Sequence, residues 1–591
     1  LKQDGFILFK GYLRLLDVSD KDGEISYNVN LYSEVIALAD YLKELSFRDL
    51  DFTELEHDYN YSEIRNSWVD NNIFTNPSTS GFRSSATVKY PFVDWNHQFT
   101  LGTSGNPVLP NLESAFRPFI KIKYLIERIF ENTPFTFSSD FFDTTEFEKL
   151  YMDFNWGADN APVVFDSSGE LTNATDVGLG TSMATLDFDE MNYPTVGGNP
   201  LSANFGYSSG VFTAQEDGQV YTFTYDMRFD NALGLSDTLF VQWLVNGTPV
   251  DVATSTLTLS PYSGSFTTPP LAAGDTVLCQ AYSTLGLYQL DGVLSLTGIT
   301  PSLVTITTTS NQTTTDTLLQ TLRGETGQWD FLKGLMTMFN LVTLPDENNP
   351  NNIIIEPYVD IFINNTAGTT LANRTIEHDW TDKIDVSEMK LEPLTDLNRR
   401  TIFKFVEDDD DYAFNQYKRD VGGHLYGSKK YNATDEFNIL DGLDEVIAEP
   451  FAATVVKPLM SQYPDFIVPS LYSYNANDDI SEGFENSPRI MYNNEVKTLS
   501  STTYSVPCQN QPAPCGDAFE DEFLQFSHLS AIPTITSVPP AITDTRDFHF
   551  GECQLMSGVG AATVNNLFNL YWLPYYNELY NPNTRTMTIK V

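Results

Sequence analysis

Cysteine is scarce in this sequence. The four cysteines of the 591 residues are Cys279, Cys508, Cys515 and Cys553, and no two of them form the Cys-x-x-Cys pair of zinc ribbons and thioredoxin-like proteins. Cys508 and Cys515 bracket the segment CQNQPAPC, which a disulfide could close. The alternative is two unpaired thiols, so the sequence leaves both this bond and the redox compartment open.

Basic residues are also few. There are 33 Lys and Arg against 79 Asp and Glu, which gives a net charge of −46. Such an acidic surface repels the phosphate backbone of nucleic acids and the face of an anionic membrane, so neither is predicted as a partner. The sequence also lacks the ~18–20 consecutive apolar residues of a transmembrane helix, so we expect no membrane span.

The two ends of the sequence show no signal-peptide pattern. The chain begins LKQDGFILFKGYL and stops on RTMTIKV, and both segments are typical of strands. We therefore expect the sequence to be trimmed at both ends, which places any targeting signal outside it.

Recognisable catalytic and metal-binding motifs are missing. The six histidines show no HExxH or HxH pair, and there is no GxSxG elbow, P-loop or Rossmann fingerprint. These histidines are His57, His97, His378, His424, His528 and His549. A glycosidase needs two placed carboxylates, a condition that 79 acidic residues meet trivially. The sequence therefore predicts no catalytic residue, no metal and no cofactor, and a protein that is not an enzyme.

Two acidic stretches contain the residue type that calcium prefers. Asp408 to Asp411 are four adjacent aspartates, and the segment DKDG at 20–23 resembles part of an EF-hand loop. Adjacent strand residues point to opposite faces, however, and Val18 and Val29 stand where an EF-hand has oxygen ligands. We therefore predict solvated loops at both places, with no bound ion.

Aromatic and apolar residues, by contrast, are abundant. Apolar residues make up 41% of the chain and aromatic residues 13%, which is typical of strand-rich folds with substantial cores. Residues 6–32 alternate in period two on either side of the segment DVSDKDG, and this pattern predicts a β-hairpin.

Helical spacing follows in two places. Val35, Leu38 and Leu42 recur at the spacing of one helix face directly after the hairpin. A second helix is predicted to end at Asn132 and Pro134. Its apolar face consists of Ile122, Leu125, Ile126 and Ile129.

The composition changes between about residue 157 and residue 312. Charge thins out there, and short strands separated by Gly, Asp and Asn turns predict an antiparallel sandwich or jelly roll. Because both flanks share one mixed α/β style, we expect the sandwich to be inserted into a host domain. Trp243 or Tyr262 could stack on a sugar ring, although aromatic residues in strands more often belong to a core. The sequence assigns no ligand-binding residue.

Two segments share a helix–turn–strand pattern. WDFLKGLMTMFNLVTLPDENNPNNIIIEPYVD, at 329–360, predicts an apolar helix from Trp329 through Leu341 and then two strands joined by an Asn/Pro turn. NNLFNLYWLPYYNELYNPNTRTMTIKV closes the chain with a helix, over Leu567–Tyr580, and a strand. An apolar helix of this kind can cover one face of a small sheet, and the repetition predicts a second such unit.

These two segments carry a resemblance to a known group, together with RTIFKFVEDDDDYAFNQYKRDVGGHLYGSKKYNATDEF and with AFRPFIKIKYLIERIFENTPFTFSSDFF upstream. They resemble tail proteins of phages that infect Bacteroidota, of the kind related to baseplate or tail-tip hubs. The likeness covers most of residues 1–155 and 315–591 and excludes the sandwich. It implies a trimeric ring at the distal end of the tail tube, built from two barrel-like β-domains and smaller α/β elements.

The expected fold is mainly β with α+β elements: hub-like β-barrel domains that carry an inserted antiparallel, jelly-roll-like β-sandwich. The predicted parts are a β-rich hub domain with one helix (1–110), a helical or α+β segment (111–156), the sandwich (157–312), a second hub domain (313–455) and a C-terminal β-rich region (456–591).

The function that the resemblance implies is structural. It is that of a virion protein at the tail tip or baseplate, which joins the tail tube to host-recognition components and has itself, as a homotrimer, and other tail proteins as partners. The alternative is an adhesin or receptor-binding tail protein that holds host surface glycan through the sandwich. A polysaccharide-degrading enzyme is the third interpretation, and no motif supports it.

Overall fold

The protein is mainly β in its computed structural model, with short helices and mostly antiparallel sheets. The described residues are 2–3, 6–7, 12–21, 24–32, 34–70, 86–101, 107–156, 163–188, 190–192, 199–200, 206–214, 220–231, 233–255, 262–269, 271, 274–293, 302–313, 315–319, 321–346, 349, 351–363, 385–394, 397–433, 440–463, 466–475, 480–482, 486–499, 506, 508–509, 522–531, 545–551 and 564–590. The mainly β fold with α+β elements that the sequence predicts is confirmed.

Two separate hydrophobic clusters hold the buried apolar side chains. One takes its members from 38–156 and from 318–580, that is, from both sides of the sandwich. The other lies wholly within 171–306. The chain before and after the sandwich, which we call the host, therefore shares one core, and the sandwich has a core of its own. The domain boundaries given above stay a prediction.

The host contains a five-stranded antiparallel sheet that joins distant parts of the chain. Its strands, in spatial order, are Glu522–Ser527, Ile490–Thr498, Leu150–Asp153, Phe119–Lys121 and Val88–Lys89. Among the described residues this sheet and the others are open, so the barrel-like form expected of the host is corrected there to open sheets. Closure needs long, tilted strands, and three of these five have only four, three and two residues.

A buried ion pair connects the host across the insertion. Arg323, after the sandwich, donates from Nε to the carboxylate of Asp153, before the sandwich, at 3.1 Å. Arg323 also donates to Asn486, and the backbone N–H of Arg489 donates to Asp153 at 2.6 Å. All four residues are buried. Three segments that are far apart in the sequence thus meet at one carboxylate.

Two helices of the host bury the faces that their spacing predicts. The helix Glu34–Leu42 buries Leu38 and Leu42. The helix Ile122–Glu131 ends at Asn132. Its buried residues are Ile122, Leu125, Ile126, Ile129 and Phe130. Both helix predictions are confirmed.

The helix Gln328–Phe339 begins the helix–hairpin unit that the sequence predicts. Asn340 ends it in a left-handed conformation, and the strands Leu341–Pro345 and Asn352–Pro357 follow as an antiparallel pair. The strand Thr136–Ser138 extends this small sheet by parallel pairing. The unit is therefore confirmed, with a third strand that comes from before the sandwich.

This helix packs closely against the strand Leu443–Ala452. A Cβ added to Gly334 would lie 2.4 Å from the carbonyl oxygen of Glu449 and 2.6 Å from the ring of Phe451. A residue without a side chain is required for so close an approach of helix to strand.

The closing unit has the predicted helix and strand. A π-helical turn, Phe568–Trp572, leads into the helix Leu573–Leu579, and the strand Arg585–Lys590 follows. This last strand pairs with Asp385–Pro393, which lies far away in the sequence. Local pattern identified the strand, whereas its partner is set by the tertiary fold.

The sandwich consists of two main sheets and a small third one. The first main sheet contains Glu190–Asn192, Val163–Thr172, Leu303–Thr313, Tyr221–Met227 and Tyr262–Thr267, in this spatial order. The second contains Gly206–Ser208, Val211–Thr213, Thr276–Ser283, Leu239–Val245 and Thr248–Ser255. The small sheet contains Val177–Gly178, Gln289–Leu290 and Phe229–Asp230. Burial alternates along Thr276–Ser283, as expected where one face of a strand lines a core. The predicted antiparallel sandwich is confirmed.

Both ends of the sandwich lie side by side at the host. Val163 is the cross-strand partner of Gln312. Gln312 and Thr313 pair in turn with the host strand His57–Asp58. The hydroxyl of Thr313 is hydrogen-bonded to the hydroxyl of Tyr90 at 3.0 Å, inside the host. The last strand of the sandwich therefore pairs with a short strand of the host.

The remaining elements are short. The other strands are Lys2–Gln3, Phe6–Ile7, Thr100–Leu101, Pro107–Leu109, Ala184–Thr185, Asn199–Pro200, Arg400–Val406, Lys429–Asn432, Val456–Pro458, Ile467–Pro469, Ser473–Asn475, Ile480–Glu482, Cys508–Gln509, Arg546–Asp547 and Asn565–Asn566. The other helices and turns are Phe47–Asp49, Thr53–Leu55, Tyr61–Asn66, Leu112–Ser114, Thr145–Glu148, Thr315–Leu319, Leu322–Glu325, Val359–Ile363 and Tyr412–Asp420. Within the described part of the chain, no helix has the length and apolar character to cross a membrane.

The cysteines are described only in part. Cys279 is a buried free thiol of the sandwich core, and burial raises the pKa of that thiol well above its usual value. Cys515 and Cys553 lie outside the described residues. The disulfide between Cys508 and Cys515 therefore stays a prediction.

Candidate functional site

The first candidate interaction surface is a two-stranded antiparallel ribbon near the N-terminus. Its strands are Tyr12–Lys21 and Glu24–Tyr32, and we call the pair the N-terminal ribbon. Among the described residues no third strand joins it. Its large apolar side chains Leu15, Leu16, Val18, Ile25 and Tyr27 are each between 49% and 64% exposed. A two-stranded sheet is marginally stable in water, so this ribbon needs a covering surface.

The ribbon is longer than the sequence suggests. The segment DVSDKDG predicts a turn, but the first strand runs on to Lys21, because Val18 and Asp20 pair with Tyr27 and Ile25. The register shifts between Leu15 and Asp17, which inserts Leu16 as an extra residue. This bulge exposes neighbouring leucines together. Asp22 and Gly23, part of the supposed calcium loop, lie outside the described residues.

A second ribbon is formed by the strands Asp385–Pro393 and Arg585–Lys590, and we call it the C-terminal ribbon. It too has only two strands among the described residues. Leu391 and Met587 are direct cross-strand partners, and both are at least half exposed, as Met389 nearly is. Apolar pairs of this kind normally face a core or a partner.

The two ribbons differ in charge from the rest of the chain. Residues 12–32 contain two basic and four acidic residues, whereas the strands of the C-terminal ribbon contain three of each. The net charges are therefore −2 and 0, against −46 for the whole sequence. Copies of so acidic a chain repel one another, and near-neutral apolar surfaces are the places where they can approach at least cost.

The aspartate run at 408–411 is not a solvated loop throughout, which corrects the sequence interpretation. Asp411 is fully buried; it caps the helix Tyr412–Asp420 by accepting a hydrogen bond from the backbone N–H of Phe414 at 2.9 Å. Asp408 is also buried and accepts from the backbone N–H of Ser487 at 3.1 Å. Asp409 and Asp410 are exposed, as predicted.

The partner of the buried aspartates is Arg489. Its Nη2 lies 3.1 Å from Asp408 and 3.0 Å from Asp411. Burial raises the pKa of the Asp411 carboxyl, although the charge of Arg489 opposes this shift. A guanidinium thus occupies the position between two carboxylates where a bound cation would otherwise be needed.

Two of the six histidines come together in the host. His528 and His549 stack with ring centroids 4.4 Å apart, and both contact Oδ1 of Asp547, at 2.9 Å and 3.4 Å from their Nδ1 atoms. All three residues are buried, and their ligand atoms lie within 4.8 Å of one another, a separation that suits a metal ion. His378 lies outside the described residues. The sequence gives no signal for this group, since no metal-binding spacing relates its members.

The geometry of this group argues against metal ligation. Nε2 of His549 accepts a hydrogen bond from the backbone N–H of Thr454 at 3.2 Å, so the proton of a neutral ring lies on Nδ1, facing Asp547. Nε2 of His528 contacts the hydroxyl of Tyr426 at 3.2 Å. All four ring nitrogens therefore have hydrogen-bond partners within the protein. We interpret the group as a structural polar network.

Burial and charge shift the titration of this network. Burial, and then the proximity of His528, lower the pKa of His549 from 6.5 to about 4. Burial by itself would raise the pKa of Asp547, but the charge of His528 and hydrogen bonds from both histidines outweigh it and lower the pKa to about 2. At neutral pH Asp547 is thus a buried carboxylate held by two imidazoles.

The aromatic residues considered for sugar binding lie in or against the core of the sandwich. Trp243 is buried, and its ring packs against Tyr225 and Phe266. Tyr262 is half-buried and packs against the ring of Tyr225. Trp243 therefore offers no face to a sugar, and the core interpretation of this residue is confirmed.

Comparisons with known proteins assign no family. No family model matches the sequence, and no curated protein does either. Solved structures with local likeness include the globular domain of zebrafish complement 1qA protein (TM-score 0.16, 14% identity, 25% of this chain and 95% of that one). A second is bushbaby GITRL, with a TM-score of 0.14 and 13% identity over 24% of this chain and 95% of that one. A third is the PRD1 vertex protein P5, with a TM-score of 0.19 and 12% identity over 25% of this chain and 98% of that one. At TM-scores this low, the likenesses carry no functional argument.

Proposed function

We propose that the protein is a structural virion protein, a tail-tip or baseplate hub that joins the tail tube to host-recognition components. The observation that carries the proposal is the pair of exposed apolar ribbons. The sequence resemblance to hub-type tail proteins supports it independently. In this role the protein has no catalytic centre, and its partners are further copies of itself and other tail proteins.

The ribbons suit assembly into a ring. They belong to different parts of the chain and have different sequences, so contact between the N-terminal ribbon of one copy and a different surface of the next is head-to-tail. Head-to-tail contacts produce closed rings when the rotation between copies closes. A homotrimer is the ring that the resemblance implies, and burying the ribbons in it covers the apolar side chains that a monomer exposes.

The first prediction is the mass of the particle in solution. We expect three times 66.4 kDa in analytical ultracentrifugation at physiological salt. The double variant Leu16→Glu/Val18→Glu places two charges on the N-terminal ribbon and should shift the mass toward the monomer, because each buried charge opposes association. The matched control is Val250→Glu/Val252→Glu, two exposed valines of the sandwich.

A wild-type protein that sediments as a stable monomer at micromolar concentration would count against the ring. So would equal masses for the ribbon variant and the wild type. Turnover of a polysaccharide by the purified protein would contradict the structural role itself. The burial of Trp243 removes one of the two aromatic residues on which the glycan-binding alternative rested.

A further inference from the structure

Two loops of the sandwich repeat the sequence Leu-Gly-Leu, at 233–235 and at 285–287. Their central glycines, Gly234 and Gly286, both adopt the left-handed conformation, with φ of 58° and 70°. This shared turn projects leucine side chains into solvent. Leu233, Leu235 and Leu285, which we call the leucine tip, are 66%, 59% and 60% exposed.

A buried aspartate fixes the two loops to each other. Asp237 accepts hydrogen bonds from the backbone N–H groups of Leu285 and Leu287, at 2.8 Å and 3.1 Å, and from the hydroxyl of Thr284 at 2.6 Å. The side chain of Asn231 donates to the carbonyl of Leu235 at 2.8 Å. These hydrogen bonds fix the backbone of both loops in the conformation that exposes the leucine side chains.

The leucine tip lies at the end of the sandwich that is remote from the host. The strand Val163–Thr172 leaves the host at Val163, and its far end pairs near Val304. Arg228 lies at this same far end, because its backbone N–H donates to the side chain of Ser302, the residue before Leu303. The first Leu-Gly-Leu loop follows Arg228 a few residues later in the chain. Ten strand residues separate the two ends, which is roughly 30 Å. The tip is thus presented away from the rest of the molecule.

The loop segments that form the tip carry no charge of their own, although the carboxylates of Asp176, Asp230 and Asp237 lie nearby. Residues 178–184, 233–236 and 284–287 contain no charged side chain, in a chain with 112 charged residues (79 acidic and 33 basic). Three leucines expose far less area than the ~800 Å² that each partner buries in a stable protein complex. The backbone groups of Leu235, Leu285 and Leu287 named above also form hydrogen bonds within the sandwich and are not offered to a partner. An apolar fluid needs neither a large complementary area nor directed hydrogen bonds.

We propose that the leucine tip inserts into the apolar layer of a lipid bilayer whose surface is zwitterionic. The charge of the protein disfavours an anionic surface: the chain carries −46, and Asp176 and Asp230 lie at the small sheet beside the tip. An anionic bilayer repels such a surface, whereas a zwitterionic one does not. The inference is independent of the proposed assembly role, although several tips on one ring would bind more tightly than one.

Sedimentation with vesicles of phosphatidylcholine tests the proposal, with the full-length protein as the sample. We expect the wild type to sediment with the vesicles. The variant Leu233→Ser/Leu285→Ser should bind roughly tenfold or more weakly, because two apolar side chains no longer enter the bilayer. The matched control is Val250→Ser/Val252→Ser, which removes two exposed valines from the strand Thr248–Ser255 of the same sandwich. It should bind as the wild type does.

Two results overturn the proposal. One is a wild type that stays in the supernatant at every lipid concentration, which would leave a protein surface as the partner of the tip. The other is equal binding by the wild type and the leucine variant. Circular dichroism establishes that both variants are folded, and ultracentrifugation reports their oligomeric state. A loss of vesicle binding at unchanged mass is thereby separated from a failure of assembly.

Discussion

Arg489 satisfies two aspartates that the local sequence presents as part of an exposed acidic run. It is fully buried, and its guanidinium also contacts the carbonyl of Ala453. Without it, Asp411 would be a buried carboxylate with no charge partner among the residues that now contact it. The cost of such a group is far greater than that of losing a surface ion pair.

The variant Arg489→Met should therefore destabilise the host by roughly 3–5 kcal/mol. Hydrogen exchange of peptides that cover 486–494, followed by mass spectrometry, measures the change where it arises. The control Arg419→Met removes an exposed arginine and should alter exchange by little. Equal protection of these peptides in the two variants would show that Arg489 is dispensable.

The paired histidines make stability depend on pH in a defined direction. The pKa of His549 is about 4 in the folded protein against 6.5 for an ordinary histidine. As the pH falls, His549 therefore becomes protonated near pH 6.5 in the unfolded chain but only near pH 4 in the folded protein. Stability from this group is complete above pH 6.5 and is lost as the pH falls toward 4, by about 2 kcal/mol between pH 7 and pH 5. The contribution of Asp547, whose pKa is about 2, is lost only at lower pH, below 3.8.

The variant His549→Gln keeps a hydrogen-bonding side chain but cannot titrate. We expect its host stability, measured by urea unfolding, to fall less between pH 7 and pH 5 than that of the wild type. His424→Gln, at an exposed position, should keep the wild-type dependence. If all three proteins show the same pH dependence, the buried network does not titrate as described.

For single residues, the sequence predicted exposure or burial correctly where neighbours in the chain decide it, and not where a residue distant in the chain does. The exposed Asp409 and Asp410 follow from a local charge run. Asp411 does not, because its burial depends on Arg489, which no local pattern connects to it. The same holds for His528 and His549, which meet through tertiary packing alone.

Among the elements, the helix Gln328–Phe339 depends on one glycine. Gly334 allows the helix to approach the strand Leu443–Ala452 until a methyl group would collide with Glu449 and Phe451. Helix propensity favours alanine over glycine by about 1 kcal/mol, so in an isolated helix the exchange would stabilise. Here the collision should outweigh the propensity.

The variant Gly334→Ala should therefore lower host stability by about 1–3 kcal/mol, the usual cost of overpacking. Urea unfolding of the host provides the measurement. Gly178→Ala, in a strand of the sandwich, is a control for the exchange in open space: an added Cβ there meets no atom within 4 Å, and host unfolding should stay as in the wild type. A stabilised Gly334→Ala protein would mean that the helix and the strand are farther apart than described.

Element type was predictable from periodicity, and element partners were not. The face of the helix Ile122–Glu131 follows directly from its spacing of isoleucine and leucine. The closing strand Arg585–Lys590 was likewise expected, yet its pairing with Asp385–Pro393 is a long-range choice. The length of the N-terminal ribbon was underestimated because Asp and Ser in a strand look like a turn.

For the whole molecule, the two cores make the sandwich separable from the host. Replacing 157–312 with a short Gly/Ser linker should leave a soluble and still oligomeric host, because Val163 and Gln312 are cross-strand neighbours and the gap to be closed is small. Solubility and ultracentrifugation of the deletion protein measure the outcome. Vesicle binding should disappear from the same protein.

One contact sets the expected cost of this deletion. Thr313 pairs with His57 and reaches Tyr90, so its retention keeps these two contacts, whereas the pairing of Gln312 with Asp58 is lost. An insoluble deletion protein, combined with an isolated sandwich that also fails to fold, would mean that the two parts share one core. The insertion was visible in the sequence because composition changes across it, whereas this pairing with the host leaves no trace in composition.

The paired strands Val163–Thr172 and Leu303–Thr313 also determine how the molecule transmits a pulling force. Both are joined to the host at the same end, so tension that reaches them from the far end of the sandwich pulls on both in the same direction and does not slide one past the other. The load then reaches the host through two covalent connections and the short pairing with His57–Asp58. In single-molecule pulling from the tip, we expect that pairing to yield first, while the sandwich stays folded as a stiff tether.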